Sequence, residues 1–469
     1  MLKYTFIFIF ILSLNATSAV YSVGAGKQYK KPSEVMNLVD NGDTVEIDAG
    51  FYYGDVGTWR KNNLLIRGIG GLAHLKAAVQ LPQGKAIWIV QGNNNTIEYI
   101  KFTDAEVHDK NGAGIRFEGT NLTVRHCQFL NNEDGILAGA SANSTITIEF
   151  CEFGYNGYGD GFSHNIYIGR IKKFVFLYNY THNAKVGHCI KSRAQENIIM
   201  YNRIMDENDG TSSYLINLPD GGLSYIACNS LMQSQHTENS KMIDYGSEGY
   251  KNNINNIYIY NNTLINKRKP GIYVSVVNGA GDVKIYNNIF AGFSSDASNA
   301  IPSFADTSNN FHEANISELK FADEKNYDYH ILSGSPVIDR GKNGLTIPGH
   351  IDYLQIEYRH TVDSVHILFD WIADIGAYQF QKPHTDILTR ERKSYFYLQS
   401  GNLVIVTDNN TAGKAEIKIF DLHGLMIECG IANIYNQKLF FNIANLPCGM
   451  YFYIIKCSAN VIKGSFIKN

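Results

Sequence analysis

A short phrase returns through the middle of the chain at nearly constant spacing, and it constrains the fold more than any other feature. It reads Ile100-Lys101-Phe102, Cys127-Gln128-Phe129, Cys151-Glu152-Phe153, Asn179-Tyr180-Thr181, Asn202-Arg203-Ile204, Asn229-Ser230-Leu231, Asn262-Thr263-Leu264 and Asn288-Ile289-Phe290. The first residues are 27, 24, 28, 23, 27, 33 and 26 positions apart, and each phrase follows a β-rich run such as Ile257-Tyr258-Ile259-Tyr260. Intervals this regular mean stacked coils, and a strand-rich period without helical periodicity selects a parallel β-helix. The leucine framework of leucine-rich repeats is absent. Asn179, Asn202, Asn229, Asn262 and Asn288 are expected to form an internal ladder, in which each coil satisfies polar groups of its neighbour. The expected class is all-β, a parallel solenoid followed by a small C-terminal β-sandwich.

Composition agrees. The chain has 42 Gly and 30 Tyr against only 9 Pro, a balance that suits many short strands and turns. With 41 basic and 44 acidic side chains and no basic block, it lacks the clustered cations that nucleic acid requires. No Walker loop, GxSxG elbow or HExxH occurs, which leaves nucleotide, serine-hydrolase and zinc-protease chemistry without support.

The two ends differ from the middle. Lys3, the apolar run Tyr4 to Leu14 and the small residues Thr17-Ser18-Ala19 describe a secretory leader over residues 1–19, too short to span a bilayer as a helix. No later stretch is apolar enough to cross, so no transmembrane segment is expected in the mature chain. Its seven cysteines, an odd number without CxxC spacing, read mostly as small buried hydrophobes, and structural zinc is unsupported. From Tyr395 the texture changes to short alternating runs with Gly and Pro turns. Ile417-Lys418-Ile419-Phe420-Asp421-Leu422-His423-Gly424, then Ala444-Asn445-Leu446-Pro447-Cys448-Gly449-Met450-Tyr451-Phe452, then Gly464-Ser465-Phe466-Ile467-Lys468-Asn469 resemble the C-terminal sorting domain of type IX secretion cargo. That resemblance implies the type IX machinery as a partner and a secreted or cell-surface location.

A second resemblance covers roughly residues 21–380. Lys30-Lys31-Pro32-Ser33-Glu34-Val35, a short helix-like stretch, and Asn41-Gly42-Asp43-Thr44-Val45-Glu46-Ile47 resemble the capped start of pectate-lyase-like right-handed β-helices. Tyr327 to Gly341 and Asp374 to Phe380 resemble the closing segment of the same superfamily. The expected organisation is a leader at 1–19, a right-handed β-helix with caps at 20–385, a linker at 386–394 and the sorting domain at 395–469. A monomer is expected.

Chemistry-bearing residues concentrate between 158 and 248. Ser163-His164-Asn165-Ile166-Tyr167-Ile168-Gly169 and Gly187-His188-Cys189-Ile190-Lys191-Ser192-Arg193 carry more His, Lys, Arg and Tyr than turns require. With Ile166, Ile168 and Ile190 inward, Tyr167, Lys191 and Arg193 face out. Lys191, Tyr214 and Lys241 each lie 12 positions after a ladder asparagine, so all three are expected in one column, with Tyr167 one coil earlier. Coils about 4.8 Å apart would then set the Lys191 ammonium between two phenols. His164 and His188 share a second column by the same count.

The patch suits β-elimination of an acidic, uronate-containing polysaccharide. This needs a cation on the carboxylate, a base for the C5 proton and an acid for the leaving O4. The expected catalytic set is Lys191 as base, Arg193 as carboxylate binder, and Tyr167, His188 or Tyr214 as acid or positioning groups. His164, Asn165, His182, Arg203 and Lys241 are expected to bind substrate. The phrases around His164 and His188 resemble a bacterial branch of the β-helix polysaccharide lyases, in which Lys and Arg commonly project from adjacent parts of one sheet. Asp134, Asp160, Asp206 and Asp220 sit at turns, where they either make local hydrogen bonds or hold Ca²⁺, the one cofactor expected. A uronate C5-epimerase, a glycoside hydrolase using Asp206 and Asp220, and a non-catalytic glycan-binding or adhesin β-helix remain as alternatives on the same fold.

Overall fold

The computed structural model describes residues 18–293, 301–350, 353–367 and 372–381. In the tail it describes 395–399, 402–406, 413–421, 425–435, 438–447, 449–457 and 460–468. Residues 1–17 of the expected leader and the expected linker 386–394 lie outside the described residues. The chain divides into two compact units, Met1–Gln381 and Lys382–Asn469.

The first unit is a parallel β-solenoid with three faces. Each full coil runs from the first face (for example Leu122–Arg125) to the second (Gln128–Leu130) and the third (Asp134–Ala138). Strands pair in parallel with their equivalents one coil away, as in Gln128↔Glu152 and Ile136↔Ile166. The third face has nine strands, from Gly57–Trp59 to Ile272–Val276. Side chains alternate in and out, and the interior is filled by stacked rings: Phe102–Phe129 centroids lie 5.0 Å apart and Phe129–Phe153 centroids 4.7 Å. Gly135 keeps that space open, because a Cβ there would lie 2.3 Å from the Asn165 carbonyl and 2.9 Å from the Phe153 ring.

The recurring phrase marks the corner between the first and second faces. The Asn202 N–H donates to Asn229 Oδ1 (3.0 Å), and the Asn229 N–H donates to Asn262 Oδ1 (3.0 Å). The ladder continues through Asn288 to Asn310 (2.9 Å each). Each amide also reaches back, as Asn229 Nδ2 does to the Ile199 carbonyl at 2.8 Å. In the early coils thiols take the acceptor place: the Ile100 N–H meets Cys127 Sγ at 3.5 Å and the Cys127 N–H meets Cys151 Sγ at 3.4 Å. The expected ladder is therefore present, and it begins in cysteine. Cys127, Cys151, Cys189 and Cys228 are all buried and unpaired.

The residue before each ladder position bends the chain in the left-handed region. Tyr99, His126, Phe150, Tyr178 and Tyr201 have φ between 51° and 59°, a conformation that costs a side-chain-bearing residue about 1–2 kcal/mol. Two effects offset that cost in the coils from Tyr99 to Tyr201. The turn delivers the ladder hydrogen bond, and it stacks the rings outside the solenoid at centroid spacings of 4.7, 5.1, 4.8 and 5.1 Å.

At the N-terminal end the expected helix-like stretch is a single 3₁₀ turn, Pro32–Glu34. At the other end the segments around Asp328–Ile331 and 372–380 lie on the outside of the second face. Tyr329, Ile375, Ala377 and Tyr378 pack there against Met205, Met232, Ile265 and Ile289. The second unit is a seven-stranded antiparallel sheet in the order Tyr395–Gln399, Asn402–Val406, Lys438–Asn442, Met426–Tyr435, Gly413–Phe420, Gly449–Cys457, Asn460–Lys468. Its own core includes Leu403, Ile417, Ile419, Leu439, Tyr453 and Ile455.

Replacing Asn229 with Ala strands the Asn202 N–H inside the corner, and an unsatisfied buried group costs about 1–3 kcal/mol. We expect a destabilisation of that size in urea unfolding followed by circular dichroism. A change within about 0.5 kcal/mol, the scale of an ordinary surface substitution, would show that the ladder is dispensable.

Candidate functional site

The polar patch is built on the third face, where the strands Ile166–Ile168, Ile190–Ser192, Ile216–Leu218 and Lys241–Tyr245 lie side by side. Ile166, Ile168, Ile190 and Ile216 are buried inward, and the residues between them face out, as alternation requires. Tyr167 pairs with Lys191, as expected. The next neighbours of Lys191 are not those read from the sequence. Lys191 pairs with Asn217, and Asn217 with Asp244. Tyr214 and Lys241 stand instead in the column of His164 and His188. The cause is the turn after Arg203–Met205, three residues longer than the turn after Tyr180–His182, together with an equal lengthening between Met232 and Ile243, so Asn217 and Asp244, not Tyr214 and Lys241, reach the Lys191 column. Lys191 therefore has one phenol beside it, with its Nζ 5.9 Å from the Tyr167 ring centroid.

Around this pair lies an ionic network. Arg193 donates from Nε to Tyr167 Oη (3.0 Å), from Nη1 to Asp220 Oδ1 (2.5 Å) and from Nη2 to Glu248 Oε2 (2.7 Å). Asp220 is buried, and its second oxygen accepts from Arg170 Nε at 2.7 Å. Glu248 also lies 3.5 Å from Lys191 Nζ. Burial pushes the Lys191 ammonium below the ordinary lysine value and the Arg193 charge adds to this, while Glu248 and Asp220 oppose it. Sequence reasoning missed Arg170 and Glu248. Arg170 directly follows the phrase that ends at Gly169, so reading one residue further would have found it. Glu248 is brought in by a turn 55 residues from Arg193 and leaves no local signal.

The neighbouring column is a pair of neutral imidazoles. The His188 N–H donates to His164 Nδ1 (3.1 Å), which assigns the His164 proton to Nε2, and the rings stack at 4.5 Å. Burial, with the nearby Lys191 charge, pushes His188 down to about 3, and burial lowers His164 well below its ordinary value. His188 Nδ1 is buried and has no hydrogen-bond partner among the described residues. Tyr214 sits edge-on to His188 at 4.9 Å, and burial and the Asp244 charge raise its hydroxyl pKa. Lys241 is held by Asp244 at 3.0 Å, and Asp244 also accepts from Asn217 Nδ2 at 2.9 Å.

Three expected substrate-binding residues lie elsewhere. Asn165 points into the solenoid, fully buried, with its Nδ2 donating to Thr181 Oγ1 and the His182 carbonyl. His182 and Arg203 belong to the second face. His182 stacks on Tyr180 at 4.2 Å and meets Glu152 at 3.3 Å. The Arg203 guanidinium lies over the Tyr180 and Tyr327 rings at 5.1 and 5.8 Å. Sequence proximity grouped them with Lys191, but the corner turns them onto a different face.

The four aspartates have local partners. Asp160 accepts from the Phe162 N–H, and Asp134 accepts from the His164 N–H. Asp206 is fully buried and accepts from Ser212, Thr237 and Ser234, so it does not stand with Asp220 as an exposed carboxylate pair. Among the described residues, no group of three or more His, Cys, Asp or Glu side chains is placed to hold a metal ion.

A family model for the right handed beta helix region matches residues 57–165. The solenoid is a right-handed β-helix. Two crystal structures of the Aspergillus niger pectin methylesterase, deglycosylated and penultimately deglycosylated, share 13% and 12% identity with the chain. Each covers 64% of this chain and 85% of its own, at a TM-score of 0.31. The structure of the PL6 family alginate lyase AlyGC shares 14% identity, covering 60% of this chain and 49% of its own at a TM-score of 0.27. No curated protein sequence matches the chain.

The buried histidines of the β-helix generate a pH prediction. The His188 ring resonances should stay fixed in a nuclear magnetic resonance titration from pH 8 to 5; a midpoint near 6.5 would contradict the neutral stacked pair. The unfolded chain takes up these protons below about 6.5 and the folded chain does not, so stability falls as pH drops from about 6.5 toward 4. His188→Leu should reduce that slope.

Proposed function

We propose that the protein cleaves a uronic-acid-containing polysaccharide by β-elimination on the third face, with Lys191 as the base. The observation that carries this reading is a half-buried, outward-facing lysine, driven toward its neutral form by burial, beside a tyrosine hydroxyl that already accepts a hydrogen bond. Neutral Lys191 Nζ takes the proton from C5 of the uronate. The electron pair becomes the C4–C5 double bond, the C4–O4 bond breaks, and O4 takes a proton. Tyr167 suits the second transfer. Its oxygen accepts from Arg193 Nε, so its own hydrogen points away from Arg193 and is free for the leaving oxygen. His188 and Tyr214 form the adjoining wall and position the sugar. The long face accommodates a chain substrate, and the leader together with the type IX resemblance supports delivery to the cell surface, where such polymers lie.

The test is to incubate the protein with alginate, pectate, glycosaminoglycans and bacterial glucuronans and follow the ultraviolet absorbance of the unsaturated uronate. Lys191→Ala should lower the rate by about 10²–10⁴-fold, the usual range for a general base, and Tyr167→Phe should also be impaired while folding normally. The rate should rise with pH, with a midpoint below the ordinary lysine value, because only neutral Lys191 accepts the proton. New reducing ends without absorbance would replace this reading by hydrolysis. Binding with unchanged chain length would leave a glycan-binding protein, and loss of the C5 proton to solvent without cleavage would indicate the epimerase.

A further inference from the structure

The network on the third face contains its own carboxylate in the position where a uronate would be expected to place one. Glu248 bridges the two cations of the patch, with Oε1 3.5 Å from Lys191 Nζ and Oε2 2.7 Å from Arg193 Nη2. The cations are largely enclosed, at 15% side-chain exposure each, whereas Glu248 is 48% exposed. Its backbone is fixed independently of that contact. The Glu248 N–H donates to the Pro219 carbonyl at 3.0 Å, and the Gly249 N–H closes the turn onto the Gly246 carbonyl at 2.9 Å. Gly246 and Gly249 both have φ of 82°, so the tight turn depends on glycine. The Glu248 side chain can therefore swing into solvent while its backbone stays in place. Asp220 cannot do the same, because it is buried and held by both Arg170 and Arg193.

We infer that the Glu248 carboxylate occupies the carboxylate subsite of the polysaccharide, and that an anionic sugar binds by displacing it from Lys191 and Arg193. The inference rests on the reading of this patch as a uronate site. It identifies the two side chains that meet the sugar carboxylate, Arg193 as its cation and Lys191 as an N–H donor that keeps this contact in the neutral form in which it acts as base, and it makes Glu248 a competitor within the molecule that discriminates against neutral sugars. A neutral ring has nothing to offer the cations in exchange for Glu248. Only a ligand with its own carboxylate restores both contacts when Glu248 leaves, and that places its C6 carboxyl, and hence its C5 proton, beside Lys191.

The experiment is isothermal titration of the whole protein with sodium D-glucuronate, which has no glycosidic bond to cleave, and with methyl glucoside as the neutral control. Wild type is compared with Glu248→Gln and Glu248→Asp, and all three are checked for equal thermal unfolding midpoints. If Glu248 fills the subsite about nine-tenths of the time, removing it tightens glucuronate binding roughly tenfold and leaves methyl glucoside unchanged. Glu248→Asp separates displacement from simple charge removal. It keeps the negative charge but is one methylene too short to bridge both cations, so displacement predicts tighter glucuronate binding and charge removal alone predicts none. Equal glucuronate affinity in all three proteins, or tightening in Glu248→Gln alone, would overturn the inference. Neither outcome depends on turnover: a protein without lyase activity that shows the Glu248 effect keeps the anion subsite and loses only the elimination.

Discussion

The rest of the structure depends on one hydrogen bond repeated at the corner between the first two faces. Asparagine suits that corner because one side chain carries both an acceptor for the N–H behind it and a donor for a carbonyl further back. A thiol accepts more weakly and reaches less far, which fits its place in the first coils only, where Cys127 and Cys151 stand. The left-handed residue before each ladder position is strained alone but supported by the ladder inside and, from Tyr99 to Tyr201, by ring stacking outside. With that corner repeating from coil to coil, strands on every face fall into parallel register. Two side chains 24 residues apart, Tyr167 and Lys191, thereby become neighbours.

That register explains what was legible in the sequence. The solenoid, its ladder, its two stacked histidines and the Tyr167–Lys191 pair all follow from counting, because the four extra residues of the turn after Glu152–Gly154 fall before His164 and leave both pairs 24 positions apart. Tyr214 and Lys241 were misassigned because two successive turns each carry three extra residues, and a length change in a turn leaves no trace in strand periodicity. Arg170 and Glu248 were missed for a different reason. They act from turns, and which turn meets which strand is decided by the path of the chain around the corner. Asn165 was misread because one position before an alternating strand pattern carries no information about direction.

The excess of charged and aromatic residues on the second face has a structural explanation. Arg203 lies over the rings of Tyr180 and Tyr327, and His330 stacks on Tyr378 at 3.9 Å, with Asp328 and Glu357 beside it. These contacts fasten the closing segments over strands that would otherwise expose Met205, Met232 and Ile265. Polar groups gathered under a cover stay paired and enclosed, whereas those on the third face remain open to exchange partners.

The ladder also has a direction. At this corner each coil's ladder N–H is satisfied by a side chain from the coil after it. Within the ladder, a cut on the C-terminal side leaves the last corner N–H without its acceptor, whereas a cut on the N-terminal side removes no N–H acceptor from the corners that remain. A polypeptide that emerges N-terminus first thus always presents one unfinished edge, and the next coil to arrive seals it. The solenoid is wound like a thread that locks one turn late, in the same sense in which the chain is synthesised.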